Sequence, residues 1–142
     1  MSNGVIAKIA AKDVAPSNRQ GGEIKALLTP TSVGSTAGFT GTQSIPPGEH
    51  IAEHYHPYSD EFVYVVRGTV HITVDCAQDT LEADEAIMFR RGQRHRLANA
   101  GTEPAFLVYH ISPLAPKPEL GHVDTEHVPN PDSRPPQVGG QQ

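Results

Sequence analysis

Two histidines one residue apart, a glutamate five positions on and a distant third histidine are the residues of this chain best able to share one cation. They fall in Gly48-x5-His54-x-His56-x4-Glu61-x6-Gly68 and in the later Gly92-x2-His95-x3-Asn99. Alternate side chains of a β-strand share a face, so His54 and His56 point the same way and can chelate one ion. Pro57-Tyr58-Ser59-Asp60 allows a turn, and a strand opening at Glu61 then returns its carboxylate beside the imidazoles. His95 opens another strand, which Asn99 closes, and it completes the set. Imidazole and carboxylate together suit one divalent transition ion: zinc is the first expectation, with iron, nickel, manganese and cobalt open. Calcium and magnesium prefer all-oxygen shells.

His110 competes with Glu61 for a place in this set. If residues 99–105 form a hairpin loop, a register in which paired numbers sum to 205 sets His110 opposite His95. Directly opposed residues of an antiparallel pair share a face. His110 is then expected inward as a fourth nitrogen ligand, leaving Glu61 to support the ligands or to act as a base, whereas a slip of one residue sends Tyr109 inward instead. Metal ligands are therefore expected among His54, His56, His95, His110 and Glu61, and the catalytic base is Glu61 or His110. His50 shares parity with His54 but lies about 13 Å along the strand, at the expected cavity mouth. His71 alternates with Val70 and Ile72 and is expected outward, and His122 and His127 are expected in solvent.

These positions demand strands. Thirteen glycines and 13 prolines punctuate short runs of Val, Ile, Thr, Phe and Tyr, which is the pattern of an all-β sandwich or barrel. Strands are expected at Val5–Ile9, Glu23–Leu28, Gly38–Ile45, Glu49–His56, Glu61–Val66, Thr69–Val74, Thr80–Glu82, Ala86–Phe89, Arg94–Ala98 and Ala105–Ile111. Phe39, Ile45, Val63, Val65, Ile72, Phe89, Leu97 and Val108 would wall a pocket or fill the space between the sheets. After Ser112 repeated prolines remove backbone donors and forbid a central strand. Residues 1–112 thus read as one β-barrel domain with an N-terminal strand, and 113–142 as an extended arm. The arm packs through Leu114, Leu120 and Val123 to about Val128, and its Gly139–Gln142 end is mobile.

A chain of 142 residues suits one core. Its 11 basic and 16 acidic residues give a net charge of −5, which argues against nucleic acid and anionic membrane surfaces as partners. The single cysteine, Cys76, fits a reducing cytoplasm, and neither a signal peptide nor a membrane-length apolar run is visible. A small-molecule substrate is the better expectation.

The paired motifs resemble those of the cupin superfamily. The first matches throughout; the second departs at Asp84 and Arg90, where the family usually has Gly and Pro, which bears on corners and not on ligands. Glu53-His54-Tyr55-His56-Pro57-Tyr58-Ser59, with Pro113-Leu114-Ala115-Pro116 through Gly121-His122-Val123-Asp124-Thr125-Glu126, is further similar to small single-domain cupins of bacterial aromatic polyketide pathways. That likeness runs from about Gly21 to Glu126. It implies a cupin double-stranded β-helix, a jelly roll, acting as a metal-assisted polyketide cyclase. Such an enzyme folds a poly-β-ketone and promotes an intramolecular aldol-type condensation with loss of water. A polyketide substrate, a possible acyl carrier protein and a homodimer are implied as partners, and an outward strip of Phe62, Tyr64 and Val66 also favours pairing of subunits. An iron-dependent dioxygenase and a non-catalytic ligand-binding cupin remain open, because one scaffold hosts unrelated chemistries.

Overall fold

The computed structural model describes residues 6–138. Its strands are β1 (Glu23–Leu28), β2 (Phe39–Ile45), β3 (His50–Tyr55), β4 (Asp60–Arg67), β5 (Thr69–Val74), β6 (Ala77–Glu82), β7 (Ala86–Phe89), β8 (His95–Ala98), β9 (Ala105–Ser112) and β10 (Val123–Asp124). They form two antiparallel five-stranded sheets, ordered β1-β2-β9-β4-β7 and β10-β3-β8-β5-β6. Period-two patterning decides which residues meet between them: β4 buries Glu61, Val63 and Val65 and exposes Phe62, Tyr64 and Val66. Ile45, Ile51, Val65, Val70, Leu97 and Leu107 fill the interior, each contributing about 1.5–3 kcal/mol by leaving water.

Corners are set by backbone chemistry. Gly68 ends β4 at φ 87°, where a Cβ would stand 2.7 Å from the Ala105 Cα and the Pro104 oxygen, so only glycine lets β4 and the start of β9 approach this closely. Asp84, at the position where a glycine is usual, takes the same left-handed region at φ 67°. Aspartate tolerates it better than most side chains.

Three expectations need correction. No hairpin joins β8 to β9: β8 lies between β3 and β5, β9 lies between β2 and β4, and the connection crosses from one sheet to the other. Asn99 fastens that crossing, its Nδ2 donating to the Ile45 and Glu103 carbonyls (both 2.8 Å) and its Oδ1 accepting from the Gly101 N–H. Ile6–Ile9 forms no strand, and Val5 lies outside the described residues. β3 carries a bulge between Ile51 and His54, so Ile51 and Ala52 are both buried and the parity of His50 is reversed relative to His54.

The Pro-rich segment returns over the sandwich. β10 pairs with β3, Ser17 Oγ donates to the Arg134 carbonyl at 2.6 Å, and the Thr31 N–H donates to the Val138 carbonyl at 3.3 Å. Contact thus continues well past Val128. Leu114 and Val123 are half-buried, whereas Leu120 is exposed, contrary to expectation. The Gly139–Gln142 end lies outside the described residues.

Candidate metal centre

His54 and His95 are direct partners across β3 and β8, and Glu61 faces them from β4 on the other sheet. His56, just past β3, joins them, and one ligand atom from each of the four lies within 4.8 Å of the others. All four are buried, Glu61 to 3 % exposure and His95 to 1 %. His95 stacks on Phe89 with ring centroids 4.2 Å apart, which fixes its plane.

Each imidazole is aimed by its far nitrogen. His54 Nδ1 donates to the Ala52 carbonyl (2.7 Å), which the bulge places there; His56 Nδ1 donates to the Gly121 carbonyl (2.9 Å), and His95 Nδ1 to the Gln93 carbonyl (2.9 Å). A carbonyl can only accept, so Nδ1 carries a hydrogen, and Nε2 faces the centre with a lone pair in the neutral ring or with a second N–H in the protonated one. Glu61 Oε1 lies 3.1 Å from His56 Nε2 and 3.0 Å from His95 Nε2. Lone pairs and a carboxylate brought this close require a cation among them, either protons or a metal ion. The donor set therefore fits a divalent transition ion.

The electrostatics agree. Burial, then the neighbouring His95, His122 and His56, hold His54 well below the usual imidazole range. Burial also acts to lower His56, but the Glu61 hydrogen bond and charge outweigh it and raise its pKa. Burial acts to raise the Glu61 carboxyl, and hydrogen bonds from His56 and His95 overcome it, so Glu61 is held well below the carboxylate range as an anion. Only a positive charge at the centre balances that anion.

His110 does not join the group. Because β9 lies between β2 and β4, Tyr109 points inward and His110 outward beside Phe62, ring centroids 6.0 Å apart. Val108 shares that outer face at 39 % exposure and does not wall the cavity at the cluster. His50 is half-buried away from the cavity, His71 and His127 are exposed, and His122 is not solvated as expected. It stacks on His54, centroids 4.4 Å apart and planes 18° apart, while its Nε2 donates to Asp124 Oδ1 at 2.6 Å. Arg19 binds the other oxygen of Asp124 at 3.1 Å. The i, i+2 spacing of His122 and Asp124 carried this signal, since a strand places both on one face.

The cluster opens on a cavity of about 620 Å³, lined on the barrel side by Ile24, Phe39, Gln43, Tyr109 and Ile111 and on the arm side by Leu114, Pro118, Gly121 and His122. Ile45, Val63, Val65, Ile72, Phe89 and Leu97 pack between the sheets and do not line it. Tyr109 donates its hydroxyl to the Lys25 carbonyl at 3.1 Å, and burial, then the Glu61 charge, keep that phenol protonated.

Two antiparallel sheets packed as a jelly roll, with a His₃Glu cluster between them that could hold a metal ion, define a β-sandwich protein. The Cupin domain model matches residues 41–111, and the chain belongs to the cupin family. It is 58% identical over 134 residues to the tetracenomycin polyketide synthase protein TcmJ of Streptomyces glaucescens, covering 94% of this chain and 90% of that one. It is 51% identical over 118 residues to the polyketide synthase CurC of Streptomyces cyaneus, covering 83% and 77%. An uncharacterized protein with a double-stranded β-helix domain from Klebsiella pneumoniae superposes with a TM-score of 0.67 at 22% identity, covering 86% of this chain and 99% of that one. Among the described residues, no helix is long and apolar enough to cross a membrane.

Proposed function

We propose that this chain is a metal-dependent cyclase of an aromatic polyketide pathway, promoting intramolecular aldol-type condensation and dehydration of a poly-β-ketone. The observation that carries this reading is the convergence of three Nε2 atoms and one carboxylate at a cavity large enough for a folded polyketone. The polyketide-synthase names of relatives at 51–58% identity support the pathway. His54, His56, His95 and Glu61 would hold the ion, zinc in the first instance, which when bound supplies a Lewis acid to polarise a ketone.

The chain's own residues do the rest. Phe39, Ile24, Ile111 and Leu114 restrain a flexible substrate in one pose and exclude water, and orientation of this kind can be worth several kcal/mol, with an upper range of about 7–11. His122 would serve as the proton acceptor: its Nε2–H donates to Asp124, which leaves Nδ1 as the accepting nitrogen. Glu61, engaged by two imidazoles, is better placed as a ligand than as a base. In this reading the arm after Ser112, described as far as Val138, serves the site from outside the barrel. Delivery by an acyl carrier protein and a cytoplasmic setting belong to the same reading. So does a homodimer paired through Phe62, Tyr64 and Val66, which light scattering of Phe62→Asp would report as loss of the dimer.

The test is elemental analysis with a product assay in the intact pathway. One divalent ion per chain and loss of the cyclised product in His95→Ala are expected. Oxygen consumption tracking turnover on bound iron would overturn the cyclase reading in favour of a dioxygenase.

A further inference from the structure

Two buried amides in the cavity are only partly used by the protein. Gln20, ahead of β1, and Gln43, on β2, are 5 % and 4 % exposed, and both line the cavity that holds the histidine cluster. Gln20 Nε2 and Gln43 Oε1 have no hydrogen-bond partner among the described residues. Buried polar groups are almost always paired, and leaving one unpaired is costly, whereas an apolar side chain of the same shape avoids the cost. A donor and an acceptor kept in one cavity therefore ask for something outside the chain.

Gln20 is held by its side chain and Gln43 by its backbone. Gln20 Oε1 accepts from Arg19 Nη1 at 2.7 Å, which settles the amide orientation and leaves Nε2 as the unused end. Arg19 is in turn held by Asp124 of the arm. The Gln20 carbonyl accepts from the Ala52 N–H at 2.8 Å, and the Ala52 carbonyl is the one that aims His54. Gly21 follows at φ 102°, where any Cβ would collide with the His50 carbonyl oxygen, so the chain at Gln20 sits directly against β3. Gln43 is fixed between Ile24 of β1 and Leu107 of β9.

We propose that Gln20 and Gln43 are the specificity-determining pair of this cavity, Gln20 Nε2 donating to a carbonyl oxygen and Gln43 Oε1 accepting from an enol or phenol hydroxyl of the ligand. A carbon chain oxygenated on alternate atoms fits, because each 1,3-diketone unit in its enol form presents one acceptor and one donor. The assignment of that ligand class rests on the cyclase reading. A site built to hydrogen-bond its substrate rejects analogues lacking the oxygens far better than an apolar pocket can.

The experiment titrates the metal-loaded protein, Gln20→Leu and Gln43→Leu with 1,3-dihydroxynaphthalene and with 1,3-dimethylnaphthalene, and records each unfolding temperature. Each substitution is expected to weaken the dihydroxy probe roughly 3- to 10-fold, to leave the dimethyl probe unchanged or tighter, and to leave unfolding unchanged or higher. Equal losses for both probes, no loss for either, or an unfolding temperature that falls in step with affinity would overturn the pair. Gln20→Met and Gln43→Met give the same readings should a Leu variant fail to fold. The product assay on His95→Ala separates the two proposals. Selective loss of dihydroxy affinity with product untouched by His95→Ala sinks the cyclase reading and keeps the pair, while lost product with unaltered probe affinities does the reverse.

Discussion

The cavity has two walls of different construction. On the barrel side the imidazoles sit on paired strands, are almost fully buried and are aimed mainly by backbone carbonyls of their own sheet. On the arm side Arg19, Asp124 and His122 are about 27–31 % exposed and are aimed by one another's side chains. One of the carbonyls that aim the imidazoles comes from the arm: that of Gly121, which orients His56. Backbone-held groups in a dry interior have one geometry, which suits an ion; side-chain networks at a rim are replaceable, which suits the choice of substrate. On this reading the ion belongs to the barrel wall, and the arm adds the proton acceptor and part of the cavity lining.

The strongest break of that contrast is His54→Ala. Loss of an outer-shell partner alone commonly costs 10–100-fold in metal affinity, so removal of a ligand is expected to cost about 100-fold or more, read by metal titration, with product lost in parallel.

Glu61→Gln keeps shape and removes charge, and a fall of about 10–100-fold in metal affinity is expected. It should also alter the acid response. The folded Glu61 pKa lies below its usual 4.5, so its contribution to stability is present above that pH and is lost as pH falls through it towards the folded value. Near pH 4 that loss has only begun, whereas buried His56 charges readily only beside the carboxylate. Urea unfolding of the metal-free protein at neutral pH and near pH 4 should therefore show Glu61→Gln losing more stability than the wild type.

Asp124→Asn acts on the other wall. It frees Arg19 and His122, so metal content should be unchanged while product formation falls about 3- to 10-fold. Loss of metal in this variant would erase the division between the walls.

His110→Ala should do least: metal content unaltered and stability within about 0.5 kcal/mol, because the ring lies on the outer face.

The His54, His56, Glu61 and His95 cluster and the packing of Leu114 and Val123 were legible in the sequence, and most of the cavity lining and the polar groups of the arm were not. Alternation in Glu61–Val66 and the His54-x-His56 spacing are local signals, and strands convert them directly into faces. The side of His110 depended on the partners of β9, a non-local fact: the short loop after Asn99 imitates a hairpin but carries the chain to the other sheet. A single bulge at Ala52 similarly reversed His50, since one extra residue inverts every side chain beyond it. His122 looked solvated because prolines surround it, and only the pairing of Val123 and Asp124 with Tyr55 and His54 brings it over the centre.

The central claim is that the ion at His54, His56, His95 and Glu61 is needed for ring closure. Stepwise return of zinc to metal-free protein, with occupancy and cyclised product measured on the same samples, tests it most directly. Product rising in proportion to occupancy, and saturating at one ion per chain, is the expected result; product formed at the full rate by the metal-free protein would contradict it.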